Sequence, residues 1–392
     1  MNARRCVVSL LSAVFLLVAA APSSAAPADT IADAVLGQPN FNESGCDKNN
    51  LGPAGMCTPY DAAVDPTSGR LYVVELDSHR VLSWASATSF ANGTAADLVF
   101  GQRDFWGNRC NAGGISASSL CKPAGVVVDR SGNVYIGDHR NNRLLEYDTP
   151  ATTDTVADRV WGQPDFKSSQ CDSGGISADT LCGPRNPGLD PAGNLWISDH
   201  QNHRVLAYRN PLSSDHSADL VIGQPDFATQ NCGVGPTSLC HPRAVELDKA
   251  GTLYVADAYN QRVLAFLDPF NTDRSADDVY GQKNYTAHVC NAGGVNAGSL
   301  CGPRDVAVDD LGHVFIADTR NNRVLIYNSP MASDNLADRV LGQPNMTTGV
   351  CNNGGITATS MCEPRGLGAD AAGNVYVPDS ANDRLLRFDR PA

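Results

Sequence analysis

A cysteine pair returns six times along this chain at nearly constant intervals. The first members of the pairs stand at 46, 110, 171, 232, 290 and 351, so the steps are 64, 61, 61, 58 and 61 residues. A period of this size marks an array of equal structural units, each needing neighbours to cover its apolar faces. One unit reads Ala157-Asp-Arg-Val-Trp-Gly-Gln-Pro-Asp-Phe166, then a cysteine loop, then an extended run from Pro184 to Asp190. A turn carrying Gly193, a run from Asn194 to Asp199, a short polar loop and Arg204-Val-Leu-Ala-Tyr208 complete it.

Each unit therefore holds four strand-like runs. In the fifth they are Arg304–Asp309, His313–Ala317, Arg323–Tyr327 and Arg339–Gly342. Turns such as Asp129-Arg-Ser-Gly132 and Asp248-Lys-Ala-Gly251 join the first two, with Asp at the start and Gly where φ is positive. Consecutive apolar residues, as in Val126-Val-Val128 and Val134-Tyr-Ile136, suit a sheet covered on both faces. The expected fold is all-β: a six-bladed β-propeller of four-stranded antiparallel blades. An open solenoid is the competing arrangement, but it needs polar end caps. Here the array opens with the last strand of a unit, Ala32 to Gln38, and ends with a third strand, Arg384 to Phe388. The N-terminal strand is expected to complete the C-terminal blade and remove both open edges.

Residues 1–26 read as a secretory signal. Arg4 and Arg5 precede an apolar run from Val7 to Ala21, and small residues stand near Ala26. The expected organisation is this leader followed by one propeller domain over residues 27–392. No segment is long and apolar enough to suggest a membrane span after cleavage. With 29 basic and 42 acidic residues the net charge is −13, which argues against nucleic acid as a partner. Export places the cysteines in an oxidising compartment, extracellular or periplasmic. The expected disulfides are Cys46–Cys57, Cys110–Cys121, Cys171–Cys182, Cys232–Cys240, Cys290–Cys301 and Cys351–Cys362. Pairing across a blade would have to bridge roughly 14 Å, whereas disulfide Cα atoms lie within about 7 Å.

The motif Asp-x-x-Asn-x-Arg-Val-Leu, seen at Asp318 to Leu325, resembles the NHL repeat, and the likeness runs over residues 30–390. The resemblance implies a six-bladed propeller often used as a binding platform. Some relatives, including peptidyl-hydroxyglycine amidating lyases, are metal-dependent enzymes, but their metal and catalytic residues find no counterparts here. The repeated Asp138, Asp199, Asp257, Asp318 and Asp379, with Glu75, and the arginines five residues later recur in all six units. Such uniformity speaks for a structural role in the loop rather than a ring of cation ligands.

Two sets break the sixfold pattern, and both fall on the rim that carries the cysteine loops. Arg185, Arg243, Arg304 and Arg365 each follow a Pro, while Tyr60 and Ala124 replace them in the first two units. Four guanidiniums near a channel mouth suit a carboxylate, sulfate or sugar acid, with pairing to Asp305 or Glu363 as the competing explanation. His139, His200 and His241 form the second set. Neutral imidazoles there can converge on zinc or copper with a position left for chemistry. No cofactor is required by the sequence; a divalent metal, zinc or calcium, is the one candidate. No HExxH, nucleophile elbow or phosphate-binding glycine loop occurs, so no catalytic residue is assigned. The leading expectation is a secreted binding propeller, taken as a monomer, for a protein, peptide or glycan ligand. The alternatives are a metal-dependent lyase or hydrolase at the histidines and a purely structural role at the cell envelope.

Overall fold

The computed structural model describes residues 29–46, 51–328, 330–331 and 334–392; the predicted leader, residues 1–26, lies outside them. Six antiparallel four-stranded sheets are arranged as blades. Blade 1 is built from Pro59–Val64, Leu71–Glu75, Arg80–Trp84 and Leu98–Phe100, innermost to outermost. Blades 2 to 5 repeat this order. Blade 6 takes its inner three strands, Gly368–Ala369, Val375–Asp379 and Arg384–Phe388, from the C-terminal end. Its outermost strand is Ala34–Leu36, paired Ala34↔Arg387, Val35↔Leu386 and Leu36↔Leu385. The ring thus closes by the strand exchange that the offset of the repeats predicts. The strands run slightly shorter than the apolar runs; the innermost of blade 5 is Asp305–Val308.

The two-sided apolar strands find their partners between blades. One hydrophobic cluster fills each of the six interfaces; that between blades 3 and 4 holds Trp196, Val205, Ile222, Val245, Leu253, Val255 and Leu264. Each fully buried Val or Leu of this kind stabilises the fold by about 1.5–3 kcal/mol. No blade can keep this gain alone, which is why closure matters energetically. No helix among the described residues is long and apolar enough to cross a membrane.

The repeated acid, amide and arginine hold the cysteine loops to the blades. In blade 3, Arg204 Nε donates to Asp199 Oδ2 at 2.8 Å, and both side chains are fully buried. Arg204 Nη2 also donates to the carbonyls of Ser177 and Thr180, each at 2.9 Å. Asp199 Oδ1 accepts the Cys182 N–H at 2.7 Å, and Asn202 donates to Oδ2 at 2.9 Å. Blades 2, 5 and 6 show the same Asp–Arg and Asp–Asn bonds. Buried charges matched this fully organise a loop and leave little for a ligand. All six disulfides join the two cysteines of one loop, with Cα atoms 4.4–4.6 Å apart. Because each Cys–Asp bond ties a loop to its own blade, the cysteine loops and the Asp-to-Arg loops share one rim.

Candidate functional site

The innermost strands start at the disulfide rim and run through the ring to the Asp-x-x-Gly turns on the other face. Their first residues therefore surround one mouth of the central channel. The residue after each second cysteine is left-handed, with φ of 48 at Thr58, 60 at Gly183, 51 at His241 and 58 at Gly302. A proline follows, and blades 1, 3 and 4 have a register shift just after it. A bulge of this kind re-aims the next side chain. In those blades it turns Tyr60, Arg185 and Arg243 toward one another.

Tyr60 stands at the centre of the arginines. Its hydroxyl accepts from Arg185 Nη1 at 2.5 Å and from Arg243 Nη1 at 3.1 Å. The Arg185 and Arg365 guanidiniums sit 5.8 and 5.7 Å from its ring centroid. Burial pushes the Tyr60 phenol up, but the charges of Arg185, Arg243, Arg304 and Arg365 together overcome it and bring it down to about 7. Arg185 is itself lowered to about 10, first by burial and then by its like-charged neighbours against the pull of Tyr60. Glu363 pairs with Arg365 at 2.8 Å. Asp305 instead accepts from Asn186 at 3.1 Å. Among the described residues no carboxylate lies within ion-pair distance of Arg185, Arg243 or Arg304. The four arginines singled out in the sequence do meet, around a tyrosine that the sequence shows only as an exception to their pattern.

The histidines form a chain beside them. Ring centroids of His139 and His200 are 6.2 Å apart, those of His200 and His241 4.8 Å, and those of His241 and His203 4.3 Å. His200 Nδ1 donates to the Pro242 carbonyl at 3.0 Å, which leaves Nε2 as the acceptor. Nδ1 of His139 and of His241 is buried without a hydrogen-bond partner. Burial, then Arg185, lowers His139 to about 3; burial, then Arg243, lowers His241. All three are neutral imidazoles, as metal ligation requires. His139, His200 and His241 are not, however, a set whose ligand atoms all lie within 4.8 Å; His203, Cys240 and His241 are such a set. Cys240 is consumed in its disulfide. Imidazoles with guanidiniums nearby are a poor cation cradle by charge, and two of their lone pairs are already used: His139 Nε2 accepts from Arg185 Nη2 at 3.5 Å and His203 Nδ1 accepts the His241 N–H at 3.2 Å.

Halfway along the channel the next inner-strand position carries Asp61, Gly125, Asn186, Ala244, Asp305 and Gly366 in the six blades. Asp61 and Asp305 are both almost fully buried. A Cβ at Gly366 would fall 2.4 Å from the Tyr60 carbonyl and 2.7 Å from Asp61 Oδ1, so only glycine lets the waist close this tightly. Beyond the waist a cavity of about 400 Å³ opens between the Asp-x-x-Gly turns. The channel is thus cationic at the disulfide mouth and acidic at the waist and beyond. The acidic positions are visible in the sequence as symmetry-breaking residues one place after the arginines, but no local pattern distinguishes them from surface acids.

A closed ring of six four-stranded blades around a channel with differing mouths is the fold class. The NHL repeat family profile matches residues 120–147 and 300–327, one unit in blade 2 and one in blade 5. The chain is a six-bladed β-propeller that carries NHL-repeat matches in two of its blades. Teneurin-1 of Mus musculus is 25% identical over 294 residues, which is 68% of this chain. The chain spans about a tenth of the length of such curated relatives, the match covering 10% of that protein. A crystal structure of a protein of unknown function from Bacteroides thetaiotaomicron superposes with a TM-score of 0.56 at 13% identity, covering 91% of this chain and 75% of that one. A streptogramin B lyase structure reaches a TM-score of 0.45 at 12% identity, covering 88% and 95%. These structural likenesses concern the fold alone.

Proposed function

We propose that this propeller is an extracellular or periplasmic binding platform whose disulfide-rim mouth receives an anionic group of a protein, peptide or glycan. The observation that carries the reading is the cluster of partly buried guanidiniums, Arg185, Arg243 and Arg304, with a phenol and no carboxylate among them. Positive charge held out of water with only the Tyr60 phenol and Glu363 to offset four guanidiniums is costly and favours any anion that can enter. Arg185 Nε and Arg365 Nε are buried donors with no partner. Carboxylate, sulfate and sugar-acid groups match such forks in two-pronged geometry. The disulfide loops around the mouth supply a rigid surface for the rest of the ligand.

Isothermal titration with glucuronate, sulfate and an acidic peptide tests this. Arg243→Ala with Arg304→Ala should weaken binding by at least about tenfold, the loss of one or more charge-assisted hydrogen bonds. Unchanged affinity in the double variant would remove the arginines from the proposal.

A second reading, a metal-dependent lyase or hydrolase, draws on the run of neutral imidazoles from His139 through His200 to His241. Zinc there would draw on His200 Nε2, the nitrogen that the bond to Pro242 leaves as acceptor. Elemental analysis of protein purified without chelators, with His200→Ala as control, tests it; no stoichiometric metal would end it.

A further inference from the structure

The Asp-to-Arg loops that surround the arginine mouth differ at one position. It holds Asp77, Arg140, Gln201, Arg320 and Ala381 in five blades and an aromatic residue, Tyr259, in blade 4. Tyr259 is 56% exposed, so its ring stands on the rim instead of filling a core. Its mount is rigid. The short turn Ala258–Asn260 carries it. Its N–H donates to the carbonyl of Cys240, itself held in a disulfide, at 3.3 Å, and the neighbouring Asn260 donates to Asp257 at 2.8 Å. One side of the Tyr259 ring rests on His241, with centroids 4.3 Å apart. His241 is clamped in turn: its N–H donates to His203 Nδ1 at 3.2 Å, and the His203 ring meets it edge-on at 4.3 Å.

These rings continue the anion site. His139 Nε2 lies 3.5 Å from Arg185 Nη2. From there the stripe runs through His200 to His241 and out to Tyr259. Ala258 stands where blades 2 and 3 carry His139 and His200, so in blade 4 the stripe leaves the channel mouth and turns outward over the cysteine loop. Arg243 and Arg185 both lie close enough to His241 for their charges, after burial, to lower it. An anion on these guanidiniums therefore has a flat, uncharged, partly apolar surface on one side, toward blades 3 and 4.

We propose that Tyr259, backed by His241, is a second subsite of the anion site, and that the ligand is an acidic oligosaccharide: one uronic acid carboxylate on Arg185 and Arg243, and a further pyranose laid on the Tyr259 ring. This rests on the anion reading above and narrows it to one class of ligand. The chemistry is complementary at both ends. A guanidinium fork takes a carboxylate in two-pronged geometry. The face of a pyranose presents C–H groups, and the negative face of an aromatic ring attracts them while both shed water. An acidic peptide satisfies the arginines equally well, but its side chains gain most by filling holes, and Tyr259 offers a plane. Because the mount is held by a disulfide and the Asn260 bond, the ring is placed before the ligand arrives, which spares part of the entropy of binding.

The test is calorimetric titration of the full chain with galacturonate, trigalacturonate and triglutamate, on the wild type, Tyr259→Ala and Tyr259→Phe. The exposed side chain carries no core contact, so these variants fold. Trigalacturonate should bind the wild type more tightly than galacturonate. Tyr259→Ala should weaken trigalacturonate by about fivefold, the loss of one ring contact, and leave galacturonate and triglutamate unchanged. Tyr259→Phe keeps the ring and should keep the affinity. Unchanged trigalacturonate affinity in Tyr259→Ala overturns the proposal, as does an equal loss for galacturonate or for triglutamate, or a loss in Tyr259→Phe as large as in Tyr259→Ala. Galacturonate that binds through Arg243 while Tyr259→Ala is silent leaves the anion reading standing and removes only the second subsite. No binding of any of the three acids to the wild type ends both.

Discussion

Replacing Tyr60 by Phe removes one oxygen from the centre of four guanidiniums and should abolish a phenol that ionises near neutrality. The ordinary tyrosine value is about 10; in the fold Tyr60 is brought down to about 7. Three units correspond to about 4 kcal/mol of preference for the phenolate, at 1.36 kcal/mol each. The sign follows from proton counting. Between those two values the unfolded chain keeps the phenolic proton and the folded chain has lost it, so stability rises with pH at about 1.4 kcal/mol per unit. This contribution is complete above the unfolded value and is lost as pH falls through the folded one. Asp61 and Glu246, pushed up by burial to about 7 and about 8, act in the opposite sense over a range that reaches into that of Tyr60, so the wild type minus Tyr60→Phe difference is what isolates the phenol. The direct assay is the ultraviolet absorbance of phenolate against pH, in chloride buffer free of sulfate and phosphate. The chain has 11 tyrosines, and nine others are pushed up by burial, which clears the neutral range for Tyr60. A single phenolate step near neutrality in the wild type and none in the variant is the expected result. A step that survives in Tyr60→Phe, or a wild type without one, refutes the claim that the arginines act together on this hydroxyl.

Two other outcomes concern the scaffold. Arg204→Leu strands a fully buried Asp199 carboxylate and unties the loop carbonyls of Ser177 and Thr180, so denaturant unfolding should show a loss of about 3–5 kcal/mol. Replacing Cys171 and Cys182 together by Ser opens a loop of 11-residue separation and should cost about 3 kcal/mol. A melt that is unchanged in either case would contradict the role given to that loop.

Much of the scaffold is readable without coordinates because each piece is local. The Asp199–Arg204 pair is five residues long, the Asp190–Gly193 turn four, and each cysteine loop closes within a single unit. Repetition then multiplies a local signal six times. His313, uninformative in sequence, proves to bind Asp309 at 2.7 Å, again across four residues. The candidate site is legible only in part. The arginines stand out because they break a repeat, but Tyr60 looks like a plain substitution, and Asp61 and Asn186 look like ordinary polar residues in short strands. Nothing within ten residues of any of them states its partners.

What the amino-acid order determines alone, then, is the unit: four strands, a stapled loop, a buried ion pair, and a terminal offset that lets one strand close the ring. What the tertiary structure decides is which odd residues meet. Arg185 and Arg243 reach Tyr60 over 125 and 183 residues of chain, and Asn186 reaches Asp305 over 119. The reason is geometric: closing a ring brings the same position of every unit to a common axis. There a deviation that means nothing within its own blade becomes the neighbour of every other deviation, and charge of one sign collects at each end.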